Sequence, residues 1–180
     1  YESHLRVAQE TLTAFLLAPA NFGDGDLNIP ESGNGIPDLV DEAAWLPRFC
    51  HRLRKALREK GYGSGGVGLR VAGDAFGGDE GPDGKPRGAW EDNDRTWVVS
   101  GESAVDTYRY AGTAAQLAIA LAKIGKKDPE GVDWAREARE AYAWAAAHER
   151  ESEKGLVVER RRYAAALLFA SAAYPPTQED

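Results

Sequence analysis

Trp90, Trp97, Tyr108 and Tyr110 crowd into one stretch of the chain, with Arg70 and Arg95 close by in sequence. Flat aromatic faces accept ring-shaped ligands such as sugars, and arginine donors can read the hydroxyls around the ring. A competing reading is that these aromatics simply pin the surrounding segment to a core, as large apolar rings usually do. Both readings stand on the residues alone. Carboxylates form a second group. Asp24-Gly25-Asp26, and then Asp74, Asp79, Glu80 and Asp83, could ligate calcium or activate water. Asp-Gly runs are more commonly turns.

Other patterns carry less. Gly61-Tyr62-Gly63-Ser64-Gly65-Gly66 fits GxGxxG as a string, but it follows a helical pattern and opens none, so it reads as a helix end and turn. Gly101-Glu102-Ser103 starts like a nucleophile elbow, but Val105 occupies the place of the closing glycine. His4, His51 and His148 lack metal-ligand spacing. Cys50 is the only cysteine, which rules out an intrachain disulfide.

Hydrophobic period predicts five helices to position these groups. The first runs over about 3–17, with Leu5, Ala8, Leu12 and Phe15 on one stripe. The second covers about 37–60, where Leu39, Ala43, Leu46, Cys50, Leu53 and Leu57 alternate spacings of four and three. Pro37 suits its first turn, Asp38, Asp41 and Glu42 complement its dipole, and Pro47 predicts a kink. The third spans about 105–124, with Tyr110, Ala114, Leu117, Leu121 and Ile124 in register. The fourth is expected to start at Asp128-Pro129 and to run to about Glu149, with Trp134, Ala138, Ala141 and Ala145 on one face. The fifth covers about 157–173. It is apolar nearly all round from Tyr163 to Ala173, which predicts burial on several sides. Residues 61–103 form one long irregular loop rich in Gly, Asp and Pro, with one short strand expected over 66–72. A loop of that length reads as ordered and site-forming. The fold class is all-α, with Ala-faced helices joined in hairpins as in α/α toroids.

The chain has 180 residues, is 43% hydrophobic and carries a formal net charge of -7. That is one domain's length with enough apolar content for a core. The acidic balance speaks against nucleic acid and anionic membranes as partners. Arg160-Arg161-Arg162 reads as a solvated helix face. No apolar run reaches spanning length, and no signal-peptide pattern is read within these residues. The chain starts at Tyr1 and contains no Met, which suggests a piece of a longer product.

The segment from Asp26 to Trp45 resembles a long motif of glycoside hydrolase family 9, the cellulase family: N-I-P-E-S-G-N-G-I-P-D, two apolar residues, D-E-A, any residue, W. Gly65-Gly66-Val67 resembles the family's next G-G-V. Trp90 sits where relatives carry Ser-Trp. Thr107 to Ala118 and Arg162 to Ala173 resemble later helical segments. The resemblance implies part of an (α/α)6 barrel, with residues 1–180 a partial catalytic domain and 61–103 a substrate-side insertion. It also implies an inverting mechanism on β-linked glycans, with a base in an N-terminal D-A-G-D motif and an acid near the C-terminus. No D-A-G-D occurs here, so no catalytic residue is assigned and the 180 residues alone are expected to be inactive. Leu69-Arg70 stands where many relatives carry His-Lys, so a glycan other than cellulose is as well supported.

Five residues are expected to contact substrate: Arg70, Trp90, Arg95, Trp97 and Tyr110. No cofactor is expected beyond a structural calcium. An oligo- or polysaccharide is the expected partner, together with the remainder of the barrel or self-association, since inner faces such as Ala141 and Leu167 would be left uncovered. Secretion or a periplasmic location follows from the family alone. The alternatives are a non-catalytic helical module that binds carbohydrate or protein, and another α/α-toroid enzyme such as a lyase.

Overall fold

A computed structural model describes residues 2–68, 71–73, 97–150 and 154–172. Its five helices are α1 (Glu2–Leu17), α2 (Asp38–Glu59), α3 (Ala104–Lys123), α4 (Trp134–Ala147) and α5 (Lys154–Ala172). Helix α1 buries the expected stripe: Leu5, Leu12 and Phe15 are fully enclosed and Ala8 nearly so. Helix α2 begins with Asp38 and Asp41 in its first turn, where negative charge meets the positive dipole end, and it continues through Pro47.

Helix α3 is the centre of the fold. It packs against α1, α4 and α5, and more lightly against α2. Almost every residue from Ala104 to Leu121 is buried. Small side chains make this feasible, because Ala111, Gly112, Ala114 and Ala115 let neighbouring backbones approach closely. At Gly112 the Tyr163 ring lies 3.0 Å from where a Cβ would stand. Ser103 caps α3, its hydroxyl accepting from the Asp106 amide at 3.3 Å.

Helix α4 starts later than expected. Asp133 is its cap and accepts from the Arg136 amide at 2.9 Å. Asp128-Pro129 instead forms a turn, in which the Asp128 carbonyl accepts from Gly131 at 2.9 Å and Gly131 takes a left-handed φ of 73°. Within this turn Asp128 Oδ1 accepts from the Glu130 amide at 2.9 Å, while Oδ2 accepts from Arg48 Nε at 3.0 Å and Trp134 Nε1 at 2.9 Å.

The expected burial of α5 on several sides does not hold. Val157, Ala164 and Ser171 are buried, but Phe169 is 85% exposed. Helix α5 lies against α3 and, less extensively, α4, so apolar composition around the whole helix outruns the neighbours available. Ala141, expected to be uncovered, is fully buried; Leu167 is half-buried against the core.

Where one strand was expected in the long loop, four short ones lie among the described residues: β1 (Val67–Gly68), β2 (Val71–Gly73), β3 (Trp97–Val99) and β4 (Glu102–Ser103). They pair antiparallel as β1–β4 and β2–β3. The register runs Val67↔Ser103 and Gly68↔Glu102, then Val71↔Val99, Ala72↔Val98 and Gly73↔Trp97. The described parts of the loop next to α2 and α3 therefore pair as a narrow ribbon.

The bundle has two distinct ends. At one, the loop after α1 and the start of α2 meet the α3–α4 connection, through Arg48–Asp128 and through Lys126 lying against Gly35. At the other, the end of α2, the ribbon, the start of α3 and the end of α4 come together. The 22 residues of α2 separate these ends by roughly 33 Å at 1.5 Å per residue.

Candidate functional site

The ribbon end brings together polar and aromatic groups that reach solvent. Its base is the turn Ser64-Gly65-Gly66. The Glu102 Oε1 atom accepts from three successive amides, Ser64 at 2.9 Å, Gly65 at 2.8 Å and Gly66 at 2.7 Å. Its Oε2 accepts from the Ser64 hydroxyl at 2.6 Å. Burial pushes the Glu102 carboxyl up, but these bonds stabilise the anion and hold it below the ordinary glutamate value. Gly65 has a φ of 123°, a conformation that a side chain would strain. Its carbonyl accepts from Arg54 Nε at 2.7 Å.

Trp144 of α4 lies directly over Gly66, where any Cβ would overlap its six-membered ring. Its indole N–H donates to Ser64 Oγ at 2.9 Å, and His148 stacks on it with centroids 4.1 Å apart and planes 9° apart. Glu102, Trp144, His148, Glu149 and Arg150 enclose a cleft of about 240 Å³. Beside it, Tyr108 donates to Glu149 Oε1 at 2.5 Å, and Arg161 pairs with the same carboxylate at 3.1 Å, tying α5 to the end of α4. Thr107 Oγ1 joins ribbon to helix, accepting from the Val67 amide at 2.8 Å and donating to the Ser103 carbonyl at 2.6 Å.

A second concavity of about 390 Å³ lies between α2 and α4, lined among others by His51, Arg54, Lys55, Arg58, Arg136, Glu137 and Glu140. Glu137 anchors its floor. It pairs with Arg54, lies 3.1 Å from His51 Nδ1, and accepts from the Tyr110 hydroxyl at 2.7 Å. Burial alone would raise its carboxyl, but His51 and Arg54 with the Tyr110 bond bring it down to about 2. A carboxylate so firmly ionised is a structural counter-ion rather than an acid or base for chemistry near neutral pH.

The five residues expected to touch substrate fare differently. Arg70, Trp90 and Arg95 lie outside the described residues, as do Asp74, Asp79, Glu80 and Asp83. The Trp97 backbone sits in β3, opposite Gly73 at the far end of the ribbon. Tyr110 needs correction. It is fully buried in α3, its hydroxyl is spent on Glu137, and Arg54 lies 5.1 Å from its ring centroid. It therefore has no open face for a sugar, and it supports the core. Glu102, Trp144 and Arg54 were not singled out from sequence. The available signal was the Ser-Gly-Gly turn, whose three bare amides need an anion.

The motif segment sits at the opposite end and builds a tight loop. Asp24 accepts from the amides of Gly33 and Gly35 at 2.5 and 2.6 Å, and Asp26 accepts from Gly23 at 2.5 Å. Asp38 accepts from Gly25, Leu27 and the Ser32 hydroxyl at 3.0, 2.6 and 3.0 Å. Burial opposes its ionisation, but these donors keep its carboxyl below the usual range. Asn34 donates to Asp41 at 2.8 Å. Burial raises the Asp41 carboxyl despite Asn34 and Arg48. These acids serve as turn and cap residues, and Asp24-Gly25-Asp26 is the turn that its composition suggested. Among the described residues, no group of three or more His, Cys, Asp or Glu side chains is placed to hold a metal ion.

No protein-family model matches the chain. A stretch of 38 residues is 42% identical to a cellulose 1,4-beta-cellobiosidase from Acetivibrio thermocellus, which amounts to 21% of this chain and 4% of that protein. The fold superimposes on the crystal structure of a metagenome-derived glycoside hydrolase family 9 endoglucanase with a TM-score of 0.71. That match covers 96% of this chain and 31% of the endoglucanase, at 24% identity. The chain thus spans under a third of the solved relative and a small fraction of the curated one. The stacked helical hairpins are part of an (α/α)6 barrel, the architecture that the sequence resemblance implied.

Proposed function

We propose that this chain supplies one section of barrel wall, and a substrate-side ribbon, to an inverting glycoside hydrolase acting on β-linked glycans. The substrate class is cellulose, another β-glucan or an amino-sugar polymer. The observation that carries this reading is the fold correspondence over 96% of the chain, joined to the motif from Asp26 to Trp45.

Inversion needs an acid and a base far enough apart to admit a water between the base and the sugar. Four acids among the described residues are already engaged and do not form such a pair. Asp24, Asp26 and Asp38 spend their oxygens on backbone amides, and Glu137 is held as a permanent anion. The role that fits the chain is therefore binding and framing of the glycan at the ribbon end. Proton transfer falls to carboxylates outside these residues.

A polymeric substrate is met outside the cytoplasm, so the protein is read as secreted or periplasmic. No described helix is long and apolar enough to cross a membrane. The exposed apolar positions of α5, Phe169 above all, are read as the edge on which the remainder of the barrel packs.

Incubating the pure 180-residue chain with soluble β-glucans tests the division of labour. The expected result is no reducing sugar above blank, with measurable oligosaccharide binding. Turnover by this chain would overturn the assignment of the chemistry to other residues. Absence of any binding would count against the framing role.

A further inference from the structure

We propose that Glu102 is a positioning residue for glycan recognition, holding the Ser64–Gly66 turn and, with it, the ribbon whose β3 strand carries Trp97. This rests on the reading that the ribbon end faces the glycan.

Glu102 makes two kinds of connection at once. Its backbone pairs with Gly68 in the β1–β4 ladder, and its side chain collects three amides and a hydroxyl from the turn just before β1. A single residue therefore fixes the ribbon's returning strand to its outgoing one. The turn is gripped from the other side as well, since buried Arg54 donates to the Gly65 carbonyl. Trp144 closes over Gly66 and bonds Ser64. Beyond the first ladder the strands stay close: a Cβ on Gly68 would stand 2.6 Å from the Ser100 carbonyl oxygen and 3.0 Å from the Val99 side chain. The close approach of Gly68 to Ser100 and Val99 links the Glu102 frame to β3, whose Trp97 backbone pairs with Gly73.

Charge-assisted bonds are the strong ones, and four converge on this carboxylate. Removing its charge should loosen the turn and tilt the ribbon while leaving the helical core intact. The titratable and charged groups facing it are His148, Glu149 and Arg150 across the cleft, with Arg54 and Arg58 of α2 flanking Gly65. Because the turn stabilises the anion, the clamp is present above the ordinary glutamate range and is lost as pH falls below it.

The test is calorimetric titration of the 180-residue chain with a soluble cello-oligosaccharide across acidic to neutral pH, for the wild type, Glu102→Gln, Ser64→Ala and Trp97→Ala. We expect Glu102→Gln to weaken binding about tenfold and Ser64→Ala to weaken it less. Trp97→Ala should also lose affinity. Wild-type affinity should fall with acidification, whereas that of Glu102→Gln stays level through the same window. Hydrogen exchange should quicken at 64–68 and 97–103 in Glu102→Gln, with α1 unchanged. Should Glu102→Gln fail to fold, Ser64→Ala decides, and wild-type affinity in that variant overturns the proposal. Glu102→Gln binding with wild-type affinity and pH profile overturns the positioning role alone. Undiminished binding by Trp97→Ala overturns the link to β3. A wild-type chain that binds no oligosaccharide overturns the glycan reading, and this role falls with it.

Discussion

Arg54 of α2 and Glu137 of α4 form a buried ion pair on the floor of the groove between their helices, each less than a tenth exposed. The pair does more than join two helices. Glu137 also takes the Tyr110 hydroxyl from α3, and Arg54 also holds the Gly65 carbonyl at the base of the ribbon. One polar chain thus joins α2, α3 and α4 to the turn at the base of the ribbon.

Breaking this chain from one side should be costly, because the partner is left as an uncompensated buried charge. Glu137→Ala is expected to destabilise the protein by about 3–5 kcal/mol. Urea unfolding followed by circular dichroism measures it. A loss within about 0.5 kcal/mol, the scale of an ordinary surface substitution, would contradict the burial argument.

The same residue sets an acid limit. The Glu137 carboxyl lies at about 2 in the fold against a reference of 4.5. A depressed folded value means that the stabilisation is fully present above about pH 4.5 and fades as pH falls from there towards 2. The full effect is of order 3 kcal/mol at 1.36 kcal/mol per unit. Comparing the wild type with Glu137→Gln in urea at several pH values checks the sign. The stability difference between the two should narrow as the solution is acidified.

Gly66 should not tolerate a side chain. A Cβ there would overlap the Trp144 ring, so Gly66→Ala forces the indole off the turn, at a cost of about 1–3 kcal/mol. The double variant Gly66→Ala/Trp144→Ala should lose less than the two single costs added together. Thermal melting of all four proteins completes the cycle, and strict additivity would argue against the contact.

Cys50 should be chemically silent in the native state. It is buried at 1% exposure, and burial pushes its thiol up to about 12. Little thiolate exists near neutral pH, and reagents cannot reach it. A colorimetric thiol reagent is expected to label the protein only in denaturant. Rapid native labelling would show that the α2 face opens.

Much of the helical framework was legible because period encodes it. The stripe Leu5, Ala8, Leu12, Phe15 is buried as read, and α1, α2, α3 and α5 fall within a few residues of their expected bounds. The start of α4 was misplaced because Asp128-Pro129 carries the local signature of a cap. Asp128 does bond the Glu130 amide, but that bond closes a separate turn ending at Gly131, and Asp133 caps the helix. Tyr110 was misassigned because an aromatic on a helix reads the same whether it faces a ligand or a core. The cue was its small neighbours Ala111, Gly112, Ala114 and Ala115, which mark a helix enclosed on every side. Helix α5 shows the converse limit: apolar composition states a demand for burial, and neighbouring helices decide whether it is met. The site's polar frame was least legible, since the bonds from Glu102 to the Ser64–Gly66 turn span 36 to 38 residues.

On this reading glycan meets the section of barrel at the ribbon end, not at the motif end roughly 33 Å away along α2. Amide chemical-shift mapping with a soluble cello-oligosaccharide tests it most directly. Shifts should concentrate at 64–68, 97–103 and 144–150, with 24–48 unmoved. Shifts confined to 24–48, or none anywhere at saturating oligosaccharide, would contradict it.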